Sequence, residues 1–297
     1  MMLDPSVLQA PLLDPRRLDL SAARRVSYVL EQSFRYEYDA PVASLRQRLI
    51  IVPPVRHGNQ HRRAHRLEVN GAPVRRRVRR DAHGNVVALL QAEKVPQAIE
   101  FKLAAVIERV RDDGPPVLPA SALDSPGLLR PTRLTAADDR LRAMAADLAP
   151  RPGPGDPEET AGRICDAVSA AITYEYGVTS ITSTAAQALD FGRGVCQDYA
   201  HVMLALCRLL RLPARYVSGH LLGQGGTHAW VEVIVPREQG AVAVAFDPCN
   251  GRRADSGYVT VATGRDYRDV APASGSYIGT SQGRLTTERR VGILAAA

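Results

Sequence analysis

Lysine is nearly absent from this 297-residue chain, and arginine supplies almost all of its formal net charge of +7. A preference for arginine over lysine reflects genome composition more often than a nucleic-acid partner. The basic clusters Arg75–Arg77 and Arg79–Arg80 are interrupted by valine, as on a strand whose face lies in water. We therefore expect no nucleic-acid partner. An arginine-rich nucleic-acid binder is the most remote alternative, and its affinity would collapse with rising salt.

Cysteine is also scarce, and long apolar runs are missing. The four cysteines are Cys165, Cys196, Cys207 and Cys249, which are too few for a disulfide scaffold and lack the close pairs of a zinc site. They favour a reducing compartment, and we expect a cytoplasmic protein. Residues 1–23 lack a basic start followed by an apolar run, so we expect no signal peptide. No segment approaches the roughly 20 apolar residues of a membrane span, so we expect no membrane partner.

Short segments of β character fill residues 26–111 and are separated by turn residues. The turns include Asn70–Gly71 and Asp81–Asn85, both strong hairpin signals. The six segments are Val26–Tyr38, Leu45–Pro53, Ala64–Val69, Val74–Arg80, Val86–Gln91 and Ile99–Val110. This spacing predicts a small antiparallel β-sandwich as the N-terminal domain.

The other boundaries follow from proline content and from helical periodicity. Residues 1–25 contain three prolines and predict a flexible leader, and the proline-rich residues 112–134 predict a linker. Within residues 135–297, helical patterns come first and strand patterns follow, which predicts a second domain of the α+β class. With 45% hydrophobic residues, the chain can fill the cores of both domains.

Cys196 stands where a glycine-containing turn meets the start of an apolar-periodic helix that ends before Pro213. The partial positive charge of a helix N-terminus favours thiolate over thiol, and the thiolate is the nucleophile. Glycine at 192 and 194 leaves room for a substrate backbone beside the sulfur. The alternative is a buried core thiol, which suits Cys165 and Cys207 because they fall on apolar helix faces.

His228 is the histidine that we select as the base for such a nucleophile. It lies in a strand pattern that runs from Thr227 to Val235, and after a four-residue loop a second pattern runs from Gly240 to Asp247. If Val235 pairs with Gly240, His228 lies directly opposite Asp247, with Cβ atoms about 4.5–5.5 Å apart. A carboxylate at that distance could orient the imidazole. The alternatives are a satisfied strand histidine and a turn-starting aspartate.

Four ordered segments resemble the bacterial transglutaminase-like superfamily, whose members are often described as cysteine proteases. They are Gly194–His201 (GVCQDYAH), Leu212–Gly219 (LPARYVSG), Thr227–Val233 (THAWVEV) and Phe246–Gly251 (FDPCNG). Two upstream segments, Tyr36–Val42 (YEYDAPV) and Asp81–Asn85 (DAHGN), resemble the β-rich N-terminal region that precedes this core. The resemblance covers about residues 26–290. It implies a papain-like core in which the helix with the cysteine packs on an antiparallel sheet.

The resemblance also implies a role for each residue of a catalytic triad. Cys196 would be the nucleophile, His228 the general base and acid, and Asp247 the group that orients the ring. The chain departs from the family at Cys249, where we expect threonine or a similar small residue, and a packing role is the simpler explanation for this cysteine. The chemistry needs neither a metal nor an organic cofactor.

Four further residues are candidates for substrate binding or for the oxyanion site: Gly194, Gln197, Trp230 and Tyr176. The main-chain N–H of Cys196, at the helix start, is the expected oxyanion donor. Trp230 shares a strand face with His228, where it either lines the cleft or fills core. Tyr176 and Tyr174 are equal candidates in a region where the family carries an aromatic residue.

The other histidines fit structural roles better than catalysis. His201 lies about 140° from Cys196 around the helix and points elsewhere. His220 could border the cleft. His57, His61 and His65 are spaced by four, as metal ligands on a helix would be, but their β context argues against a metal site.

These patterns predict a cysteine-dependent acyl-transfer enzyme that acts on peptide or glutamine-type amides through a thioester, with hydrolysis as the favoured outcome. The first alternative is a protein-glutamine transglutaminase, in which an amine takes the place of water. The second is a non-catalytic module that keeps the fold to bind a protein. The partner is a peptide or protein substrate, and the sequence does not indicate an oligomeric state.

Overall fold

Seven strands occupy the region where the sequence predicts a sandwich, and a short helix, α1 (Pro5–Gln9), precedes them. The strands are β1 (Arg25–Tyr38), β2 (Val42–Val52), β3 (Arg56–His57), β4 (Gln60–Asn70), β5 (Arg75–Arg80), β6 (Val86–Val95) and β7 (Ala98–Val110). The computed structural model describes residues 5–20, 22–149, 155–238 and 240–297. Along β1 the side chains of Tyr28, Leu30 and Phe34 are buried on one face. They are separated by two and by four residues, because successive strand side chains point to opposite faces.

The second half contains the remaining helices and the sheet that they cover. The helices are α2 (Pro126–Leu129), α3 (Asp139–Leu148), α4 (Pro157–Ala171), α5 (Ala185–Phe191), α6 (Cys196–Leu209) and α7 (Tyr267–Val270). The strands are β8 (Val117–Leu118), β9 (Thr173–Tyr174), β10 (Arg193–Gly194), β11 (Ala214–Leu221), β12 (His228–Arg237), β13 (Gly240–Asp247), β14 (Arg252–Arg253), β15 (Tyr258–Gly264), β16 (Ala273–Ile278) and β17 (Gly283–Ala296). Of the helices in the described ranges, none has the length and apolar character needed to cross a bilayer.

The last two strands belong to the sandwich. One sheet has the order β17-β1-β7-β4-β3, and the other has the order β16-β2-β6-β5. The expectation of a core that runs from residue 135 to residue 297 is therefore wrong at its C-terminal end. The physical reason is that β1 and β2 would otherwise expose unpaired main-chain N–H and C=O groups along an edge. Strand β17 covers nearly the whole length of β1.

The leader is also better ordered than its prolines predict. Leu13 forms a β-bridge with Ile293, and Leu12 packs so closely on Gly292 that a Cβ there would lie 2.4 Å from a leucine methyl. Leu18 and Leu20 pack on the core of the sandwich. The prediction of a flexible leader is wrong for its described part, because these leucines bury apolar surface. Residues 1–4 lie outside the described ranges.

The core sheet has the order β14-β13-β12-β11-β15, and β8 pairs with β13. Strand β8 lies within residues 112–134, so part of the predicted linker extends this sheet. Helix α6 packs on one face of the sheet, where its residues Val202, Met203 and Leu206 join a buried apolar cluster with Val231 and Val233. The central helix thus lies against the strand that carries His228.

The hairpin formed by β12 and β13 differs from the predicted register. Arg237, not Val235, pairs with Gly240, so the hairpin loop is two residues shorter than expected. Gln239, the last residue of the predicted loop, lies outside the described residues. His228 is consequently not directly opposite Asp247. The observed register differs from the predicted one by two residues. Because strand side chains point to the same face at every second residue, the side chains of His228 and Asp247 remain on the same face of the sheet.

Two side-chain amides of the sandwich bind the free edge of the core sheet. Gln60 donates to the carbonyl of Thr260 and accepts from its N–H, each at 2.8 Å. Asn85 makes the same pair of hydrogen bonds with Thr263, at 2.8 and 2.9 Å. Each carboxamide supplies the donor and acceptor that a neighbouring strand would provide. Hydrogen bonds between these side-chain amides and the main chain of β15 therefore join the two parts of the molecule.

Candidate active site

Cys196 is the first residue of helix α6, so its main-chain N–H has no acceptor within the helix. The helix start is fixed by Asp198, whose carboxylate accepts from the N–H of Val195 at 2.8 Å and from the hydroxyl of Thr179 at 2.6 Å. A Cβ on Gly194 would lie 2.6 Å from this carboxylate. Glycine at 194 is therefore required by Asp198, and the prediction that this position leaves room for a substrate is wrong.

His228 and Asp247 form a buried pair at the end of the hairpin, with 2.7 Å between Nε2 and Oδ2. Their exposed fractions are 3% and 0%. The contact is diagonal across the two strands, because the observed register places Asp247 level with Trp230. Since Nε2 binds the carboxylate, Nδ1 is the ring nitrogen left to face Cys196.

The pKa of His228 is raised to about 9. Burial alone would lower this pKa, but hydrogen bonds to Asp247 and to Cys196, together with the charges of both groups, outweigh burial and favour the imidazolium. The ring therefore carries a proton at neutral pH while it lies between a carboxylate and a thiol. It can donate that proton to a leaving group.

Asp247 is held by several neutral donors besides the imidazole. The hydroxyl of Tyr258 and the side-chain amide of Asn250 donate to Oδ2, both at 2.6 Å. The main-chain N–H of Cys249 donates to Oδ1 at 3.0 Å. Burial would raise the pKa of Asp247, but the bonds from His228, Tyr258 and Asn250 keep it below its ordinary value. The carboxylate thus stays ionised although it is inaccessible to water.

Sequence reasoning missed both Tyr258 and Asn250. A signal for Asn250 was present, because an aspartate followed by proline, with asparagine three residues after the aspartate, is typical of a turn closed on the aspartate side chain. Tyr258 gave no such signal, since its contact with Asp247 depends on how β15 is placed beside β11. Burial and the hydrogen bond to Asp247 raise the pKa of Tyr258, so its hydroxyl keeps its proton and remains a donor.

Trp230 lies beside the imidazole and is 1% exposed. Its ring is stacked on His228 with centroids 6.2 Å apart, and it meets Tyr258 edge-on at 5.3 Å. A Cβ on Gly219 would lie 2.5 Å from the tryptophan ring, which explains the glycine in the segment LPARYVSG. Trp230 therefore shields the imidazole, and its burial keeps it from lining an open cleft.

The other candidates are placed differently. Gln197 is buried, and its amide donates to the carbonyl of Ser180 at 3.3 Å, which ties the helix start to the preceding loop. Tyr176 is 88% exposed. Of these two tyrosines, Tyr174 is the one whose pKa is raised, by burial and then by the charge of the nearby Cys196. The structure thus favours Tyr174 over Tyr176 as the aromatic residue beside the thiol.

The remaining cysteines are free thiols in unreactive surroundings. Burial raises the pKa of Cys165 and of Cys207 to about 12. Cys249 lies near the site, and burial together with the charges of Cys196 and Asp247 raises its pKa as well. Since reactivity requires the thiolate, these three thiols are poor nucleophiles.

The histidines spaced by four lie on strands, as expected from their context. His57 pairs with Glu232 at 2.6 Å, and His61 pairs with Asp113 at 2.6 Å. Within the described ranges, no group of three or more histidine, cysteine or acidic side chains is close enough to hold a metal ion. His201 is buried and accepts from the main-chain N–H of Tyr267 at 3.2 Å.

Two stretches of the chain match known protein families. Residues 28–108 match the profile described as the bacterial transglutaminase-like N-terminal region, and residues 145–248 match the transglutaminase-like superfamily. The second stretch includes Cys196, His228 and Asp247. The two matches fall on the sandwich and on the helix-covered sheet, in the order that the sequence motifs predicted.

Related proteins extend the similarity to most of the chain. An uncharacterized protein of Mycobacterium tuberculosis is 29% identical over 282 residues, which cover 84% of this chain and 83% of that protein. One of Mycobacterium leprae is 33% identical over 162 residues, covering 51% and 55%. The crystal structure of a candidate cysteine protease from Cytophaga hutchinsonii matches with a TM-score of 0.72 and 22% identity over 91% of each chain. This likeness confirms the predicted fold class.

Proposed function

The protein is a member of the bacterial transglutaminase-like superfamily, and on that premise we propose that it is a cysteine-dependent acyl-transfer enzyme that acts on peptide or glutamine-type amides. One observation carries the proposal. A buried imidazole lies between the carboxylate of Asp247 and the thiol of Cys196, and that thiol stands at the N-terminus of a helix. A nucleophile, a base and a group that orients the base are thus together.

The reaction begins with attack of the Cys196 thiolate on the amide carbonyl. The carbonyl oxygen gains negative charge, and the main-chain N–H of Cys196 is positioned to stabilise it. As the C–N bond breaks, the imidazolium of His228 gives its Nδ1 proton to the departing amine, and a thioester remains. The neutral ring then removes a proton from water as the water oxygen attacks the thioester. The C–S bond breaks, the acid product departs, and the imidazolium of His228 and the thiolate of Cys196 are restored.

Hydrolysis is the outcome that we propose, and amine transfer is the alternative. The two reactions share every step up to the thioester and differ only in the second nucleophile. Incubation of the protein with a peptide library, with and without a primary amine, followed by mass spectrometry, distinguishes them. Fragments whose masses sum to that of the intact peptide plus one water, or conversion of glutamine to glutamate, support hydrolysis, whereas products that incorporate the amine support transfer.

The non-catalytic alternative has a separate test. We expect a neutral alkylating reagent to modify Cys196 much faster than the other three cysteines, because Cys165 and Cys207 are buried and the pKa of all three thiols is raised. His228→Ala should slow the modification of Cys196 strongly. If Cys196 reacts no faster than Cys249, and His228→Ala changes nothing, the chain is a binding module and not an enzyme.

We place the protein in the cytoplasm, where its four thiols would stay reduced. Fractionation of cells that produce the protein at its natural level, with detection by antibody, tests the location. Recovery in an oxidising compartment would contradict it.

A further inference from the structure

Arg252 lies at the outer end of the hydrogen bonds that surround Asp247. It is the first residue of β14, and it pairs directly with Asp247 of β13. Because directly opposed strand residues share a face of the sheet, the two side chains point to the same side. Arg252 Nε donates to the hydroxyl of Tyr258 at 3.2 Å, and that hydroxyl donates to Asp247 Oδ2 at 2.6 Å. A chain of hydrogen bonds thus leads from an arginine at the surface to the buried carboxylate.

The direction of this chain follows from the donors that each group possesses. Arginine has five N–H donors, no acceptor, and a charge that it does not lose in proteins. The oxygen of Tyr258 must therefore accept from Arg252, and the single phenolic proton is left for Asp247. Within the described part of the chain, Arg252 is the one residue that donates to this hydroxyl. The arginine thus fixes which way the hydroxyl points.

Two further contacts hold the guanidinium, although the side chain of Arg252 is 48% exposed. Its carbon lies 5.4 Å from the centre of the Tyr258 ring, and Nη1 lies 3.6 Å from the carboxylate of Asp255. Asp255 in turn accepts from the N–H of Gly257 at 2.7 Å, in the turn that leads to Tyr258. Exposed ion pairs contribute little on their own. Arg252 differs because it also donates a directed bond to a residue that is 1% exposed.

The bond from Arg252 should strengthen the one from Tyr258 to Asp247. Hydrogen bonds in a chain polarise one another, and a donor with a full charge forms the stronger bond. Burial and Asp247 raise the pKa of Tyr258, and Arg252 opposes this rise, which makes the hydroxyl a better donor. Asp247 binds His228 through the same oxygen, Oδ2, at 2.7 Å. The charge of Arg252 therefore acts on the atom that orients the imidazole.

We propose that Arg252 is a positioning residue of the candidate active site, which turns the Tyr258 hydroxyl toward Asp247 and so supports the carboxylate that orients His228. This inference rests on the proposed function and adds a residue to its machinery. Arg252 acts through Tyr258 and not on the reacting atoms. The site therefore extends to the surface strand β14.

Replacement of Arg252, with its neighbour as the control, tests the inference on a peptide amide that the wild type converts. In Arg252→Met, kcat/KM should fall by about 2–5-fold. The acidic loss of activity should move to higher pH, because Asp247 loses part of its stabilisation. Arg253→Met removes the same charge, but Arg253 binds Glu158 and lies over the ring of Phe246, so its pH profile should match the wild type. Measurement in about 1 M salt, where the Debye length is about 3 Å, suppresses long-range effects of the lost charge.

A double-mutant cycle separates positioning from a structural role. Tyr258→Phe removes the hydroxyl through which Arg252 acts, so Arg252→Met should then lower kcat/KM by less than about 1.5-fold further. The melting temperatures of Arg252→Met and Arg253→Met should agree within about 3 °C, since both side chains are half exposed. A structural role would instead lower the melting temperature of Arg252→Met alone, leave its pH profile in place and multiply with Tyr258→Phe.

The titration of the His228 ring gives a readout that needs no turnover. With a weaker bond from Tyr258, Asp247 attracts the imidazolium more strongly, so the pKa of His228 should rise further in Arg252→Met. Nitrogen NMR of protein labelled at histidine follows this titration, and the ring is identified by its absence from His228→Ala. Tyr258→Phe should abolish the effect of Arg252→Met. The nearby thiols of Cys165 and Cys249 have raised pKa values and stay neutral in the acidic range.

The outcomes distinguish this inference from the proposed function. If the wild type converts a peptide amide and the effects of the two substitutions are independent in both measurements, Arg252 does not act through Tyr258. The inference is then wrong, and the proposed function stands. If the wild type converts no peptide amide and Cys196 shows no selective alkylation, the proposed function is wrong, and the inference fails with it.

Discussion

Two buried pairs of histidine and carboxylate lie on either side of Trp230, and only one of them faces a nucleophile. His228 binds Asp247 at 2.7 Å, and His57 binds Glu232 at 2.6 Å. Both carboxylates are almost completely buried. By distance and burial alone, the two pairs are nearly the same.

Their surroundings differ in charge. Asp247 is bound by His228 and by neutral donors, so the imidazolium is its counter-charge within the pair. Glu232 also binds Arg215 at 2.7 Å, which supplies a permanent positive charge. The charges of His57 and Arg215 overcome burial and lower the pKa of Glu232 to about 2. A buried carboxylate whose other hydrogen-bond donors are neutral stabilises a protonated imidazole for catalysis. A carboxylate that also binds an arginine instead joins two parts of the fold.

Replacement of the two histidines should show the difference between the two pairs most clearly. His228→Ala removes both the base and the acid, and kcat/KM for amide substrates should fall by about 10⁴-fold or more. His57→Ala should leave kcat/KM within about threefold and lower the free energy of unfolding, because Glu232 loses a partner. Steady-state kinetics and urea unfolding of both variants provide the measurements. A large loss of activity in His57→Ala would mean that the second pair also serves catalysis.

Replacement of the two carboxylates should show the same difference between the pairs, with smaller effects. Asp247→Asn keeps the shape but no longer stabilises the imidazolium, so kcat/KM should fall by about 10²–10⁴-fold. Glu232→Gln should mainly cost stability, by about 3–5 kcal/mol, since Arg215 is left without its counter-charge. Kinetics and chemical unfolding, both at neutral pH, check these values. If Asp247→Asn were fully active, the orienting role would be wrong.

The pH dependence of the free energy of unfolding should also distinguish the two pairs. The pKa of His228 rises from 6.5 to about 9 on folding, so its stabilisation, about 3 kcal/mol, is complete below pH 6.5 and is lost as the pH rises through 9. The pKa of Glu232 falls from 4.5 to about 2, so its stabilisation is present above pH 4.5 and is lost as the pH falls toward 2. His228→Ala should flatten the alkaline slope, and Glu232→Gln should flatten the acidic slope and leave the alkaline slope unchanged. Slopes that do not change would contradict the assigned pKa directions.

The smallest effect concerns the neutral donors around Asp247. Tyr258→Phe removes one hydrogen bond to the carboxylate and should lower kcat/KM by about 5–10-fold, while the acidic loss of activity moves to higher pH because the pKa of Asp247 rises. The matched control is Tyr28→Phe, which removes a buried hydroxyl that donates to the carbonyl of Ser256, away from the carboxylate. It should cost similar stability without moving the pH profile. A profile that moves in both variants would indicate a general effect of packing.

The sequence motifs located the thiol, the imidazole and the carboxylate because each stands in a short segment of distinctive composition. The hairpin register was wrong because Pro236 suggested the end of a strand, whereas the strand continues to Arg237. Only the two-residue period of the strand kept His228 and Asp247 on one face. The partners of β17 depend on pairings across 245–270 residues, and no local pattern encodes such pairings.

The amide bonds from Gln60 and Asn85 to strand β15 have a consequence for how the molecule can be divided. A core produced without the sandwich would present β15 as a bare edge, with Val259 and Val261 newly exposed beside it. Such an edge is a template for self-association. We expect the isolated core to elute from a size-exclusion column as oligomers or aggregates, and the excised core would need a new covering strand before it could be handled alone.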